Sequence, residues 1–172
     1  MKATRQLDRL EPLVLHKVRG IEGDEWHRAP GGKWSIAQIV EHLSIGLDLV
    51  ATHMGKRADK KGMRRRSKPY QSVLRQLVLG VGRIPGGLEA PEVARPSDLP
   101  DPELVTAQFR MGVEKLREYN EVWTDAQKES VFVAHPILGD LNLPEWARFY
   151  YVHCRHHGKQ IEQRREWLSR GA

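Results

Sequence analysis

The segment from Pro144 to Arg170, PEWARFYYVHCRHHGKQIEQRREWLSR, has a clear helical pattern. At 100° per residue, its large apolar side chains fall on one arc of a helix, and two histidines four residues apart interrupt that arc. The residues that share the arc are Trp146, Phe149, Tyr150, His153, His157, Ile161 and Leu168. The segment predicts a long amphipathic helix whose buried stripe contains a stacked pair of imidazoles.

The pair His153 and His157 is open to two interpretations. A single histidine on a buried stripe is most often a hydrogen-bonded core residue, and a helix face that also carries His156 could be merely solvated. Two imidazoles at i and i+4, however, project ring nitrogens toward one point, as metal ligands on helices do. Their apolar neighbours favour a functional pair over a solvated face.

The composition indicates one domain spanning residues 1–172. A chain of 172 residues buries roughly two thirds of its unfolded surface without needing disulfide bonds or a structural metal. Cys154 is the single cysteine, which excludes an internal disulfide framework and cysteine-rich zinc modules. The first ten residues are charged, and no stretch approaches the roughly 20 apolar residues that span a bilayer. We therefore expect a cytoplasmic protein without a membrane segment.

The net charge of +6 is concentrated in one stretch, Lys56 to Lys68. This stretch holds eight lysines and arginines and one acid, Asp59, so that it carries +7 and the rest of the chain −1. It lacks the interleaved aromatics and the motifs of nucleic-acid-binding modules. The pattern favours a solvated, mobile loop over a nucleic-acid interface.

Three further amphipathic helices are predicted before the last one. The first covers about residues 3–18, and Pro12 would either be tolerated as a kink or move the start of the helix downstream. The second begins at Ser35, which can form a capping box with Gln38, and runs to about Met54, with Trp34 placed to pack on Ile39. The third runs from Asp101 or Pro102 to about Val122.

The connecting segments complete the predicted architecture. Residues 72–81 could form a short helix, and residues 131–134 are a short β-like run. Residues 84–102 are rich in proline, which indicates an extended crossover. Four long helices with this crossover between the second and third predict an all-α fold, a four-helix bundle.

His42 is the natural third partner of the histidine pair. Metal sites in helical bundles are built in the core from side chains on facing helices, and His42 lies on the second helix. Three imidazoles leave coordination positions open on a divalent zinc, nickel or iron ion, which can then hold a water or an anionic substrate. His42 alone would be interpreted as a structural residue.

Two stretches resemble a known family. WHRAPGGKWSIAQIVEHL, from Trp26 to Leu43, and HPILGDLNLPEWARFYYVHCRHHGKQI, from His135 to Ile161, resemble the DinB-like superfamily, in particular a branch of small bacterial proteins with an HP-x-x-G-x-L segment. The most specific marks are WS-x-x-x-x-x-EHL and H-x-x-HH-x-x-Q. The basic stretch and the crossover match weakly.

The resemblance implies a four-helix bundle that holds a divalent metal on His42, His153 and His157. Some members of the superfamily are transferases or isomerases that use low-molecular-weight bacterial thiols such as bacillithiol or mycothiol. Together with an ion that could activate a bound thiol or water, the resemblance leads us to expect a metal-dependent thiol transferase or hydrolase acting on a small molecule. It supports a site more than it supports a particular reaction.

Other residues near the proposed site have secondary roles in this interpretation, and none is assigned as catalytic. His135, His156, Gln160 and Tyr150 could line the cavity or orient the ligands. For His135 a structural role in the turn before Pro136 is favoured. Glu41 points away from His42 and Cys154 points off the buried stripe, so both are interpreted as bystanders.

Two alternatives to an enzyme remain open from the sequence. The histidines could hold an ion structurally in a non-catalytic or stress-associated bundle. The stretch from Lys56 to Lys68 could bind a polyanion, in which case loss of the histidines would not matter. A homodimer is possible for a small bundle, although no residue pattern identifies a surface for it.

Overall fold

The computed structural model describes residues 2–60, 62–87 and 89–171, and it is an all-α bundle with one small sheet. The helices are α1 (Lys2–Leu7), α2 (Leu10–Val14), α3 (Ile36–Gly55), α4 (Pro69–Arg75), α5 (Pro102–Val122), α6 (Asp125–Ser130) and α7 (Leu143–Ser169). Strands β1 (Val133–His135) and β2 (Gly139–Leu141) pair antiparallel. The bundle is formed by α3, α5, α7 and the α1–α2 pair, which packs on α5 and α7.

The first predicted helix is divided in two and ends earlier than expected. Helix α1 stops at Leu7, and α2 covers Leu10–Val14 instead of continuing to Val18. Pro12 has no N–H, and its ring would clash with the carbonyl of Asp8 in a continuous helix. The chain therefore breaks at residues 8–9, and Pro12 occupies the first turn of α2, where its missing N–H costs nothing.

The long helices begin and end close to the predicted residues. Ser35 accepts from the Gln38 N–H and the Gln38 side chain returns to the Ser35 N–H, the capping box expected from the sequence. Asp101 caps α5, and Asn142 caps α7 through a second box with Glu145. These local hydrogen bonds satisfy the otherwise unpaired first N–H groups of each helix.

The connecting segments contain more structure than the sequence pattern predicts. Helix α4 begins at Pro69 and continues as a π-helical turn, Gln76–Val81, and a 3₁₀ turn, Glu92–Ala94, lies within the crossover. The β-like run becomes β1, and β2 and α6 were not expected. Gly139, at φ +79°, allows the tight return between the two strands.

The basic stretch is not a free loop over the residues that the structure describes. Arg65 forms an ion pair with the buried carboxylate of Asp140 at 2.5 Å, and Arg64 pairs with Glu145 at 2.5 Å. The N–H of Gly62 donates to the carbonyl of Ser130. Lys61, within the stretch, and Leu88, within the crossover, lie outside the described residues. Arg65 remains largely exposed, as expected of a solvated stretch, but its pairing with Asp140 and the half-buried pairing of Arg64 fix this part of the stretch to the bundle.

Candidate metal centre

The three predicted histidines meet between two helices of the bundle. His42 lies two turns after the N-terminus of α3, and His153 and His157 lie in the middle of α7. Their rings contact one another edge to face, with ring centroids 4.6–5.2 Å apart. Each ring offers one nitrogen to a common point, within 4.8 Å of those of the other two, and the Nδ1 atoms of His42 and His157 have partners elsewhere, which leaves Nε2 for the centre.

The spacing of these nitrogens matches that around a small divalent ion. Nε2 of His153 lies 3.3 Å from Nε2 of His42 and 3.0 Å from Nε2 of His157. Two nitrogens bound at 2.0–2.1 Å to a tetrahedral ion would lie about 3.3 Å apart. The cluster therefore provides three converging nitrogen donors at a separation that suits one ion.

The outer nitrogens of two of the rings are fixed by hydrogen bonds. Nδ1 of His42 donates to the carbonyl of Ala94 at 2.7 Å, and Nδ1 of His157 donates to Oε1 of Gln160 at 2.7 Å. An oxygen acceptor requires the proton on Nδ1, so that each neutral ring presents an unprotonated Nε2 to the centre. Such partners orient metal-bound histidines in other sites.

His153 provides a further test of whether these residues fit a metal. Its Nδ1 is buried and has no hydrogen-bond partner in the part of the chain that the structure describes. The polar atoms with which this ring interacts are therefore the two other imidazole nitrogens, which both offer lone pairs. With the His153 proton on Nε2, this ring would donate to one of the two neighbours; with the proton on Nδ1, three lone pairs are directed at one point and repel each other unless a cation lies between them. The residues present therefore fit a divalent cation.

Burial keeps the cluster uncharged at neutral pH. Desolvation lowers the pKa of His42 and of His153, the latter well below its usual value, and lowers the pKa of His157 to about 3. Repulsion from neighbouring histidines adds to the effect on the pKa of His153 and His157. Neutral imidazole is the form that ligates a metal, so little proton displacement would accompany binding near pH 7.

Trp34 and Arg164 support the site and were not singled out as site residues from the sequence. The indole of Trp34 lies 5.0 Å from the ring of His42 and 6.4 Å from that of His157. The buried Arg164 donates from Nε to the carbonyl of Trp34 and holds this loop in place. The signal available in the sequence was an arginine, Arg164, on the predicted buried stripe of the last helix.

A cavity of about 680 Å³ opens beside the histidines. His42, His153 and His157 form part of its wall, together with residues of α3, α7, β1 and the crossover. The crossover thus both covers the cavity and supplies the Ala94 carbonyl to His42. A volume of this size accommodates a small organic molecule next to the three nitrogens.

The four residues predicted around the site all line this cavity. Gln160 bridges two histidines, because its Oε1 accepts from His157 and its Nε2 donates to Nε2 of His156 at 3.2 Å. Nδ1 of His135 accepts from the N–H groups of Ile137 and Leu138, a role in the turn. Tyr150 is buried, and desolvation raises the pKa of its phenol well above the usual value.

The two predicted bystanders lie away from the three nitrogens. Glu41 accepts from the N–H of Ser97 at 2.6 Å and so fastens the crossover to α3. Cys154 is fully buried, and desolvation strongly raises the pKa of its thiol. A thiol held in its protonated form is a poor nucleophile, so Cys154 is not a candidate for covalent chemistry.

Comparison with protein families agrees with this geometry. The family model of the DinB superfamily matches residues 6–161. The chain belongs to the DinB superfamily. The matched region contains all three histidines of this DinB-superfamily protein and most of its helical bundle. Comparison with curated proteins and with solved structures gives no significant match. None of the described helices of this DinB-superfamily protein is both long and apolar enough to cross a bilayer.

Proposed function

We propose that this DinB-superfamily protein binds one divalent transition metal ion, zinc, nickel or iron, through Nε2 of His42, His153 and His157, and is a metal-dependent enzyme. The observation that carries the proposal is that three imidazole nitrogens converge at the wall of a cavity. A structural ion is normally enclosed by four protein ligands, whereas three ligands beside a cavity leave a position for a substrate.

The reaction that we propose is transfer or hydrolysis on a small molecule, with a low-molecular-weight thiol as a candidate co-substrate. A bound divalent ion would lower the pKa of a thiol or a water and stabilise the anion as a nucleophile. The chain's own residues would orient the site: Ala94 and Gln160 fix two of the imidazoles, and Trp34 packs against the same two rings.

The first experiment measures the metal content of the purified, untagged protein by elemental mass spectrometry. We expect about one equivalent of a transition metal in the wild type, and its loss in His42→Ala and in His157→Ala with little change in helical content. His53→Ala is the matched control, because it removes an exposed imidazole from the same helix and the same cavity wall. It should retain the metal.

Two results would count against the proposal. One is a wild-type protein that takes up no zinc, nickel or iron even after reconstitution. The other is metal that persists in both alanine variants, which would place it elsewhere. If the metal is present, thiol transfer is assayed with bacillithiol and monochlorobimane, where the thiolate sulfur bonds to the carbon that carries chlorine and chloride leaves.

A further inference from the structure

Most of the cavity beyond the histidines is apolar. Its lining there includes Leu74, Val78, Ile84, Val93, Ile137 and Leu138. Among the described residues, the charged side chains at the cavity are Arg57 and Glu89, and both are exposed to solvent. Burying a charge against apolar walls without a partner is costly, whereas an apolar body gains free energy there. This apolar part of the cavity, which we call the chamber, therefore suits an uncharged, largely apolar molecule.

His135 places one polar atom in this apolar chamber. Its Nδ1 accepts the N–H of Ile137 at 3.1 Å and the N–H of Leu138 at 3.2 Å. A ring nitrogen that accepts carries no proton, so the neutral imidazole must carry its proton on Nε2. Desolvation lowers the pKa of His135 to about 4, which keeps the ring in this neutral form at pH 7.

The Nε2–H group of His135 is available to a ligand. His135 lines the cavity, and its Nε2 has no hydrogen-bond partner among the described residues. The ring is held in place by Phe149, at 4.6 Å between centroids, and by Trp146, at 5.4 Å. Phe149 also contacts the ring of His153, which places this donor one aromatic side chain away from the metal centre.

We propose that His135 binds the substrate, donating from Nε2–H to an uncharged acceptor oxygen, such as that of a ketone or an ester, on a largely apolar molecule in the chamber. The inference deepens the proposed function, since it names the class of compound that would be presented to the three histidines. It assigns His135 a second role besides its part in the turn between β1 and β2.

Two substitutions separate these roles. In His135→Asn, the amide oxygen can replace Nδ1 as acceptor for Ile137 and Leu138, but the Nε2 donor is lost. In His135→Gln, the amide nitrogen can replace the Nε2 donor, but the acceptor for the turn is lost. If His135 acts only in the turn, ligand affinity should be retained in His135→Asn and reduced in His135→Gln. If His135 binds the ligand, affinity should be reduced in His135→Asn and retained in His135→Gln.

The probe is prodan, a dimethylaminonaphthalene that carries a propionyl ketone, and the reference probe is dimethylaminonaphthalene without the ketone. Dissociation constants are measured by fluorescence for both probes with metal-free and metal-loaded protein. We expect His135→Asn to weaken prodan binding about three- to tenfold, the size of one neutral hydrogen bond. The reference probe should bind equally well, and His135→Gln should recover most of the prodan affinity.

Ile84→Trp tests whether the probes occupy the chamber. Ile84 lies in the crossover and is only partly buried, so a larger side chain should fill the cavity without unfolding the bundle. It should weaken both probes. The proposal is overturned if the wild type binds neither probe, if Ile84→Trp binds both as tightly as the wild type, or if His135→Asn affects both probes equally or neither.

The failure of this inference is distinguishable from failure of the metal proposal. Probe binding is measured with and without metal, and the metal content of His135→Asn should equal that of the wild type. A protein that takes up no metal on reconstitution but still discriminates the ketone through His135 would retain the substrate site and refute the metalloenzyme. A metal-loaded protein that does not discriminate the ketone would retain the metal site and overturn the role of His135 in binding.

Discussion

The two faces of helix α3 serve different purposes. Toward α5, the two backbones approach closely at Gly112, where an added Cβ would lie 2.7 Å from Cβ of Leu47. Toward α7, the same helix faces imidazoles and a cavity of about 680 Å³. The first interface is closely packed at this point, and the second leaves volume empty. Stability therefore comes mainly from the α5 side, and ligand binding takes place on the α7 side.

Leu47→Ala should produce the largest effect and should affect stability alone. Leu47 is fully buried, so the substitution removes packing and leaves a cavity on the α5 side, which should lower the free energy of unfolding by about 2–5 kcal/mol. Urea denaturation measures this loss. Metal content per folded molecule should not change.

Leu49→Ala is the matched control for that comparison. Leu49 is on the same helix but lies at the cavity, where it is only partly buried. Leu49→Ala should lower the free energy of unfolding by less than half as much as Leu47→Ala. Equal destabilisation by the two substitutions would show that the two faces of α3 are not distinct in the way described.

Gln160→Leu should have the opposite profile, with metal affinity reduced and stability nearly retained. The substitution removes the acceptor that holds Nδ1 of His157 and the donor to His156 while keeping a similar volume. Loss of such an orienting partner typically weakens metal affinity 10- to 100-fold. Competition with a chelator measures the affinity. Unchanged affinity would mean that packing alone orients His157.

Acid should lower the free energy of unfolding through protonation of His135, which lines the cavity. The pKa of His135 is about 4 in the folded chain and about 6.5 when unfolded. Its contribution is therefore complete above about pH 6.5 and is lost as the pH falls toward 4, because the unfolded chain then binds the proton more readily. At pH 4.5 the loss from this residue is about 2.5 kcal/mol.

The measurement compares urea unfolding of the wild type and of His135→Asn at pH 7 and pH 4.5, both without metal. Asparagine does not titrate in this range, so the variant should lose less stability on acidification than the wild type. If both proteins lose the same amount, the acid sensitivity arises from other histidines, and His135 does not remain neutral by burial.

Local sequence patterns were sufficient for the main helices and for part of the site. Ser35 with Gln38, and Asp101 with Pro102, mark helix starts through hydrogen bonds within a few residues, and these starts were confirmed. The i, i+4 spacing of His153 and His157 is likewise fixed by the geometry of one helix. Of the two alternatives at Pro12, a helix start moved downstream is closer to the structure than a kink, because α2 begins at Leu10 after a break at residues 8–9.

Contacts between segments that are distant along the chain could not be predicted from local sequence patterns. The Ala94 carbonyl reaches His42 across 52 residues, and Arg164 reaches the carbonyl of Trp34 across 130. Trp34 was expected to pack on Ile39, and its contact with two histidines depends on where α7 passes. The pairing of Arg65 with Asp140 likewise depends on β2 lying beside the basic stretch.

The sequence by itself determined the helices, the stripe of α7 and, with the help of a family resemblance, the three histidines, because periodicity, caps and motifs are local properties of the chain. Only the tertiary structure decided that three nitrogens converge on a cavity, that Ala94 and Gln160 orient two of the rings, and that His135 lines the cavity with its Nδ1 engaged in the turn. The physical reason is that hydrogen-bond partners, desolvation and empty volume are created when separate segments pack, and no single segment encodes them.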